Sequence, residues 1–213
     1  MRKIVFALIV SALAGCSLNT QLMHLTPPAS DRVVGDLKPV VIESITDDRD
    51  FGTAPEANGP RLDPSITTQL GAERRAKAVS GFPRGGKVIL LDDKTVSEAV
   101  RDVVVASLHS RGYDVVAAAD APADAPRLKI KVTEFWSYLP ANFGRALTWT
   151  MQLKAWVATD ITVKTPAFER EFTVKGYGAH IVQAYKIENV RQAYDLALGD
   201  YQQNLESKIF NAL

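Results

Sequence analysis

The sequence predicts an α+β fold in two layers, with two helices on one face of a mainly antiparallel sheet of five to six strands. Two helical patterns, over 95–111 and 187–210, are separated by segments in which apolar and polar residues alternate. Alternation with period 2 is typical of strands buried on one face, and such strands favour an antiparallel sheet. The predicted order is strand, long loop, strand, helix, four strands and helix, so two helices lie against one sheet.

The N-terminus has the layout of a secretory signal peptide over residues 1–15. Two positive residues precede an apolar run over 4–13, and two small residues then lead to Cys16, which is the only cysteine of the chain. The run is too short for a transmembrane helix, which needs about 20 apolar residues. The motif Leu13-Ala14-Gly15-Cys16 resembles the lipobox of bacterial lipoproteins.

The lipobox resemblance implies cleavage between Gly15 and Cys16. Diacylglycerol would then be attached to the thiol, and a further acyl chain such as palmitate to the new amine. Three acyl chains would hold the protein in a membrane, because each buried methylene contributes about 0.8 kcal/mol. Ser17 stands where an Asp favours retention in the inner membrane of enterobacteria. The resemblance therefore implies the periplasmic face of the outer membrane, with the inner membrane as the less favoured alternative.

The rest of the chain is predicted to form a tether and one domain. Residues 16–37 have no sustained period, and we expect the lipidated cysteine and a flexible tether there. Residues 38–213 have the length of a single α+β periplasmic domain. Within this domain, residues 50–86 are rich in proline and glycine. We expect them to form a long irregular loop, with a short helix or strand over 65–79.

The first predicted strand runs over 39–45 and the second over 87–91. A helix follows over 95–111. Thr95 and Glu98 form a capping-box pattern, because each side chain can satisfy a backbone N–H of the other residue. Gly112 suits the left-handed conformation that often ends a helix. One stripe of this helix is apolar: Val96, Val100, Val103, Val104 and Leu108.

The second half of the chain is predicted to be a meander of strands and a final helix. Strands over 113–117 and 128–132 precede a long alternating segment over 147–163, in which we expect a β-bulge. A return strand follows over 168–174. The apolar residues of the final helix then share one face, which we expect to lie on the sheet. They are Ile187, Val190, Tyr194, Ala197, Leu198, Tyr201, Leu205 and Ile209.

Composition and motifs favour a protein that is not an enzyme. The chain has 25 Lys and Arg against 24 Asp and Glu, so it lacks the basic surface that nucleic-acid binding requires. Its three histidines, His24, His109 and His180, have no partner at metal-ligand spacing. No nucleophile elbow, phosphate loop or dinucleotide motif occurs. We therefore expect no metal and no cofactor. Catalysis would require Asp47, Asp48 or His180 to converge in a cleft.

The densest charge cluster is Asp47-Asp48-Arg49-Asp50, directly after the first predicted strand. General acid–base catalysis would need carboxylates in opposed environments, and nothing in the sequence indicates them. A surface ion pair or a turn is the favoured interpretation. In a further interpretation, the Asp-x-Arg pattern locks the long loop 50–86 to the edge of the sheet.

The candidate interaction site is a cluster of aromatic residues around a predicted loop at 137–146. Phe135 and Trp156 interrupt the polar faces of their strands, and an exposed aromatic cluster marks a contact site for protein, lipid or glycan. In the alternative interpretation, the loop 50–86 covers this face. The candidate interface residues are Phe135, Trp136, Tyr138, Phe143 and Trp156.

Over residues 87–213 the chain resembles the YajG-like family of bacterial lipoproteins. The resemblance depends on the lipobox, on Ser107–Val115 at the end of the first helix and on Phe172–Gly176 before the last helix. The chain departs from the family at 50–86 and 137–146. The family offers no catalytic residues to carry over.

These observations together predict a membrane-anchored, non-catalytic lipoprotein that binds or scaffolds another cell-envelope component. The expected contacts are the membrane, through the N-terminal lipid, and an envelope protein. The alternative is a periplasmic carrier of a lipid, glycan or other small ligand, which would need a pocket under the loop 50–86.

Overall fold

The computed structural model describes residues 18–29, 35–51, 62, 64–82, 87–139 and 150–210. These residues form an α+β fold built on one mixed sheet of eight strands. The strands are β1 (Asn19–Met23), β2 (Lys38–Asp47), β3 (Ala78–Phe82), β4 (Lys87–Leu91), β5 (Tyr113–Val115), β6 (Arg127–Tyr138), β7 (Met151–Lys164) and β8 (Glu169–Val182). The helices are α1 (Pro64–Thr67), α2 (Ala72–Lys77), α3 (Val96–Ser110) and α4 (Ile187–Phe210).

Strand β6 is the centre of the sheet. Its whole length pairs antiparallel with β7, which pairs antiparallel with β8. On its other side, β6 pairs in parallel first with β2 and then, near its end, with β3. The order continues from β2 to β5, and from β3 through β4 to β1. The antiparallel ladders are the longest, but the parallel pairings make the sheet mixed, and it has more strands than the five or six expected.

Both long helices agree with the sequence prediction. Thr95 caps α3, where its hydroxyl accepts from the N–H of Glu98 at 3.2 Å and the Glu98 carboxylate accepts from the N–H of Thr95 at 2.6 Å. Gly112 adopts a φ of +82° just after this helix. The predicted apolar stripe of α3 is fully buried, and the apolar face of α4 packs in the same core. Both helices therefore cover one face of the sheet.

The predicted tether is shorter than expected, because β1 lies within it. This strand pairs in parallel with β4 along its whole length. Met23 and Leu25 are buried in the main core beside α3 and α4. Their burial explains why the segment is ordered: two apolar side chains leave water where the sequence pattern showed no period.

The predicted irregular loop 50–86 is also partly a regular structure, since α1, α2 and β3 lie inside it. Its apolar residues form a second, smaller core on the opposite face of the sheet from α3 and α4. This core contains Leu62, Ile66 and Leu70, which pack with Trp136 of β6. The sequence predicted a short helix or strand over 65–79 without deciding between them, because helices of four and six residues are too brief to show a 3.6-residue period.

Candidate functional site

The predicted aromatic cluster is centred on one row across three strands. Trp136 of β6 lies directly opposite Trp156 of β7, which lies directly opposite Tyr177 of β8. Residues opposite one another on adjacent strands project from the same face of a sheet. This is the face away from α3 and α4, and we call it the outer face.

Trp136 is buried at one end of this row. Its side chain is 1% exposed and packs with the second core. The ring of Phe51 meets it edge to face, with centroids 5.3 Å apart, and the guanidinium of Arg49 lies 4.4 Å from its centroid. The region 50–86 therefore covers this part of the outer face, as one of the two interpretations of the sequence expected.

Phe135 lies on the other face of the sheet, where its ring stacks on Tyr194 of α4 at 5.0 Å. The cause is a β-bulge in β6 between Val132 and Glu134. The extra residue reverses the alternation, so Phe135 joins the core-facing row instead of the outer face. Phe135 and Trp136 are buried, so neither belongs to an exposed interaction surface, and their assignment to the candidate interface is corrected.

Tyr138 and Trp156 remain half-buried on the outer face. Their rings stack with centroids 4.7 Å apart, and Tyr177 meets Trp156 edge to face at 5.0 Å. Burial, and then the neighbouring Tyr177, raise the pKa of Tyr138 above its ordinary value. The ammonium of Lys154 lies 5.7 Å from the Trp156 ring centroid. The rings therefore hold one another in place.

Two exposed residues extend this surface along β8. Tyr177 is 42% exposed and Ile181 is 57% exposed, and both project from the outer face. The sequence analysis did not identify them. The signal that could have done so is Tyr177 between Gly176 and Gly178, because alternating glycines leave one face of the strand without side chains and the tyrosine lies on the other face. We call the set formed by Tyr138, Lys154, Trp156, Tyr177 and Ile181 the outer patch.

Three of the predicted site residues fall outside the described part of the chain. These are Gly15 and Cys16 at the predicted cleavage and lipidation site, and Phe143 of the candidate interface.

Arg49 is buried, so the favoured interpretation of the charge cluster as a surface ion pair or a turn is wrong. The further interpretation, in which the Asp-x-Arg pattern locks the region 50–86 to the sheet, agrees with the contacts of Arg49. Its side chain is buried and forms a two-point salt bridge with Asp47, with both N–O distances 2.7 Å. The remaining guanidinium N–H groups donate to three backbone oxygens, those of Ala78, Arg75 and Phe135. These lie in β3, α2 and β6. A single buried cation thus fills the gap between the ends of β2 and β3 along β6.

The residues on which catalysis would depend are not brought together. Asp47 pairs with Val132 of β6, whereas His180 pairs with Leu153 of β7, far along the sheet. Val132 itself pairs with Thr159, and six residues of strand separate Thr159 from Leu153, which corresponds to roughly 20 Å. Asp47 is moreover engaged by Arg49. The structure therefore offers no cleft shared by these groups.

A small polar cluster does form where two parallel strands end. His24 follows β1 and Asp92 and Asp93 follow β4, so the pairing of these strands brings them together. The Nδ1 atom of His24 lies 3.5 Å from an oxygen of Asp92 and 3.4 Å from one of Asp93. All three side chains are exposed, and exposed acidic groups commonly lie together without holding an ion. Spacing along the chain could not reveal this cluster.

Where the structure describes the region 50–86, its apolar side chains pack against the sheet. Leu62, Ile66 and Leu70 pack directly on Trp136 there. An open cleft of about 430 Å³ lies elsewhere, between Pro28, Arg111 and the outward side of α4 near Gly199. The pocket that the carrier hypothesis requires is therefore not found at its expected place in the described residues.

No protein-family model and no curated protein matches the chain. Among solved structures, it is similar to an uncharacterised protein, with 10% identity, a TM-score of 0.46 and coverage of 91% of this chain and 99% of that chain. It is also similar to a DUF330 protein from Xanthomonas campestris, with 14% identity, a TM-score of 0.41 and coverage of 88% and 98%. A third similar structure is a candidate lipoprotein from Caulobacter crescentus CB15, with 14% identity, a TM-score of 0.30 and coverage of 63% and 90%.

Within the described residues, none of the helices has the length and apolar character needed to span a membrane.

Proposed function

We propose that this chain is a lipid-anchored, non-catalytic lipoprotein of the bacterial cell envelope that binds another envelope protein through the outer patch. The anchor is argued from the lipobox ending at Cys16. The binding role is argued from the outer patch, where Tyr177 and Ile181 are exposed on strand β8 and Tyr177 packs on the half-buried Trp156. This patch is the observation that carries the proposal.

The composition of the patch suits a protein partner. Trp and Tyr dominate the binding energy of many protein interfaces, because their large rings bury much area and have few rotatable bonds. Tyr138, Trp156 and Tyr177 are already packed against one another. A partner that binds here would therefore lose little side-chain entropy in ordering them.

Polar side chains limit the outer patch to one end of the sheet. Farther along the same face of β7 and β8, the side chains are polar, and the hydroxyl of Thr173 donates to the carboxylate of Asp160 at 2.6 Å. A partner that follows the apolar surface would thus be confined to the end of the sheet near Tyr138. In this proposal the end of the sheet near Tyr138 faces the partner. The lipid anchor is placed at the outer membrane, as the lipobox resemblance with Ser17 after the cysteine implies.

The test is photocrosslinking in living cells with the full-length lipoprotein. A photoreactive phenylalanine analogue replaces Trp156 in one variant and Ala123, an exposed residue of the loop before β6, in the control. We expect one discrete crosslinked envelope protein from position 156 and none from position 123. Equal capture from both positions, or no capture from position 156, would overturn the interface.

The anchor is tested separately by Cys16→Ser. We expect metabolically supplied palmitate to label the wild-type chain and not this variant, which should leave the membrane fraction. Continued membrane residence of Cys16→Ser without label would contradict the proposed lipid anchor.

A further inference from the structure

Among the described residues, strand β8 pairs only with β7, and α4 protects part of its other edge. The ladder to β7 occupies one side of β8, so every second residue directs its N–H and C=O away from the sheet. Three consecutive outward residues are capped by side chains of α4. The Nζ of Lys208 donates to the oxygen of Thr173, the Nδ2 of Asn204 donates to the oxygen of Lys175 at 3.0 Å, and the N–H of Tyr177 donates to Asp200 at 2.9 Å.

These caps form one row along the helix, and Leu196 interrupts the row. Asp200, Asn204 and Lys208 are spaced four residues apart, so they share one side of α4. The preceding position in this row is Leu196, whose Cβ lies 2.9 Å from the place where a Cβ on Gly178 would stand. A leucine offers no hydrogen bond. Leu196 therefore gives no cap to Ala179. The next residue in this row is Gln192, and no hydrogen bond joins it to Ile181 in the described part of the chain.

The uncapped stretch is flanked by exposed apolar side chains on both faces of the sheet. Tyr177 and Ile181 lie on the outer face, and Leu196, which is 49% exposed, lies on the helix side. Edge strands are normally protected by charges or covering elements, because free backbone groups invite pairing with another chain. On β8 the side-chain caps from α4 end at Tyr177, where the exposed apolar side chains begin.

We infer that the edge of β8 at residues 179–181 receives an extended segment of the partner polypeptide as an added strand. The N–H and C=O groups of Ala179 and Ile181 can form up to four backbone hydrogen bonds with it, and its alternate side chains would pack on Tyr177 and Ile181 or on Leu196. The inference rests on the proposed function and specifies how the partner binds. The segment should be apolar at alternate positions and free of proline where it pairs.

A second copy of this chain fits the same edge poorly. α4 lies directly over β8, since a Cβ on Gly178 would stand 2.1 Å from the backbone oxygen of Ala193. Antiparallel pairing of two β8 edges keeps both helices on one face, with the strands about 4.8 Å apart. Packed helices need about 8–10 Å between their axes. A single extended segment without a covering helix avoids this collision.

The test uses full-length lipoprotein in its native membrane, with the crosslinker at position 156. Ala179→Pro removes an outward N–H without touching the ladder to β7, and Glu171→Pro makes the same change at another outward position, remote from the patch. We expect Ala179→Pro to reduce partner capture at least tenfold and Glu171→Pro to change it less than twofold. Undiminished capture with Ala179→Pro overturns the added strand while leaving the proposed function intact.

A second pair of variants tests the same edge without proline. Leu196→Asp places a carboxylate where it can accept from the N–H of Ala179, as Asp200 does for Tyr177, whereas Leu196→Ala leaves the edge uncapped. We expect Leu196→Asp to slow hydrogen exchange of the Ala179 amide and to reduce capture at least tenfold, and Leu196→Ala to leave that exchange rate unchanged. If Leu196→Asp slows hydrogen exchange of the Ala179 amide but leaves partner capture unchanged, the inference is contradicted.

The final readout identifies the occupant. The crosslinked fragment of the partner is synthesised as a peptide and N-methylated at alternate amides. Loss of binding for only one of the two alternating sets supports an added strand, since only one set faces β8. Equal binding of both sets, or a crosslinked product of twice the mass of this chain, overturns the inferred occupant.

Discussion

Gly176 of β8 lies directly beneath Ala197 of α4. A Cβ atom on Gly176 would stand only 2.3 Å from the backbone oxygen of Ala197, so this strand and helix approach as closely as their backbones allow. Gly178 has the same relationship with Ala193, at 2.1 Å. The two glycines thus set the distance between β8 and the helix whose side chains cap its edge.

Gly176→Ala should push α4 away from β8. Overpacking a well-filled site costs about 1–3 kcal/mol, and backbone is the colliding group here, so we expect a loss of about 3 kcal/mol in unfolding free energy by urea denaturation. The matched control is Gly199→Ala, since nothing lies within 4 Å of its new Cβ. Gly199 is inside a helix, so this change should add about 0.5–1 kcal/mol. Equal effects of the two variants would contradict the close approach.

Arg49→Met should be the most destabilising of the charge substitutions. It leaves the Asp47 carboxylate without its partner and removes the donors to Ala78, Arg75 and Phe135. Breaking a buried ion pair costs about 3–5 kcal/mol, which urea denaturation would measure. Asp48→Asn changes an exposed neighbour and should alter stability by less than about 0.5 kcal/mol. A loss below 1 kcal/mol for Arg49→Met would exclude a structural lock.

Tyr201 and Thr159 should show a strong energetic coupling. Their hydroxyl oxygens lie 2.7 Å apart in the core, and burial raises the pKa of Tyr201, so the phenol stays neutral. Tyr201→Phe or Thr159→Val alone leaves a buried hydroxyl unpaired, at a cost of about 1–3 kcal/mol. The double variant replaces both partners and should cost less than the two single losses added together. Strict additivity in a double-mutant cycle would disprove the bond.

Glu98 should make stability depend on pH in the acidic range. Its bond from the backbone N–H of Thr95 holds its pKa below the ordinary value of 4.5. A group with a lowered folded pKa stabilises the fold above its unfolded pKa and loses that contribution as the pH falls through the folded pKa. Glu98→Gln keeps the capping box without the charge. The wild-type advantage over this variant should therefore be present at pH 7 and decline as the pH falls below 4.5 and through the folded pKa. A gap independent of pH would contradict this expectation.

The two long helices were predictable because their signals are local. Thr95, Glu98 and Gly112 define the ends of α3 within its own sequence, and the apolar stripes of α3 and α4 repeat often enough to be read directly. The long alternation of β7 was readable for the same reason. By contrast, β1 is only five residues long and owes its order to pairing with β4, which lies over 60 residues away.

The candidate site was predictable only in part. Trp156 was recognised from its interruption of a polar pattern, and Tyr138 from its place in the aromatic cluster around the predicted loop 137–146. Both lie on the outer face. Phe135 and Trp136 were misplaced because the bulge before Glu134 reverses the alternation and a distant segment covers Trp136. Tyr177 and Ile181 joined the site through the ladder between β7 and β8, which no spacing along the chain encodes.

The sequence by itself determined the two long helices and the alternating strands, and it carries a motif ending at Cys16 that resembles a lipobox, because each of these depends on neighbours within a few residues. Only the tertiary structure decided which aromatic rings are buried, how Arg49 joins β2, β3 and β6, and where the caps of α4 leave the β8 edge open. Those outcomes depend on which distant groups displace water from one another. Such contacts join residues that are far apart in the sequence, so no local pattern of residues can reveal them.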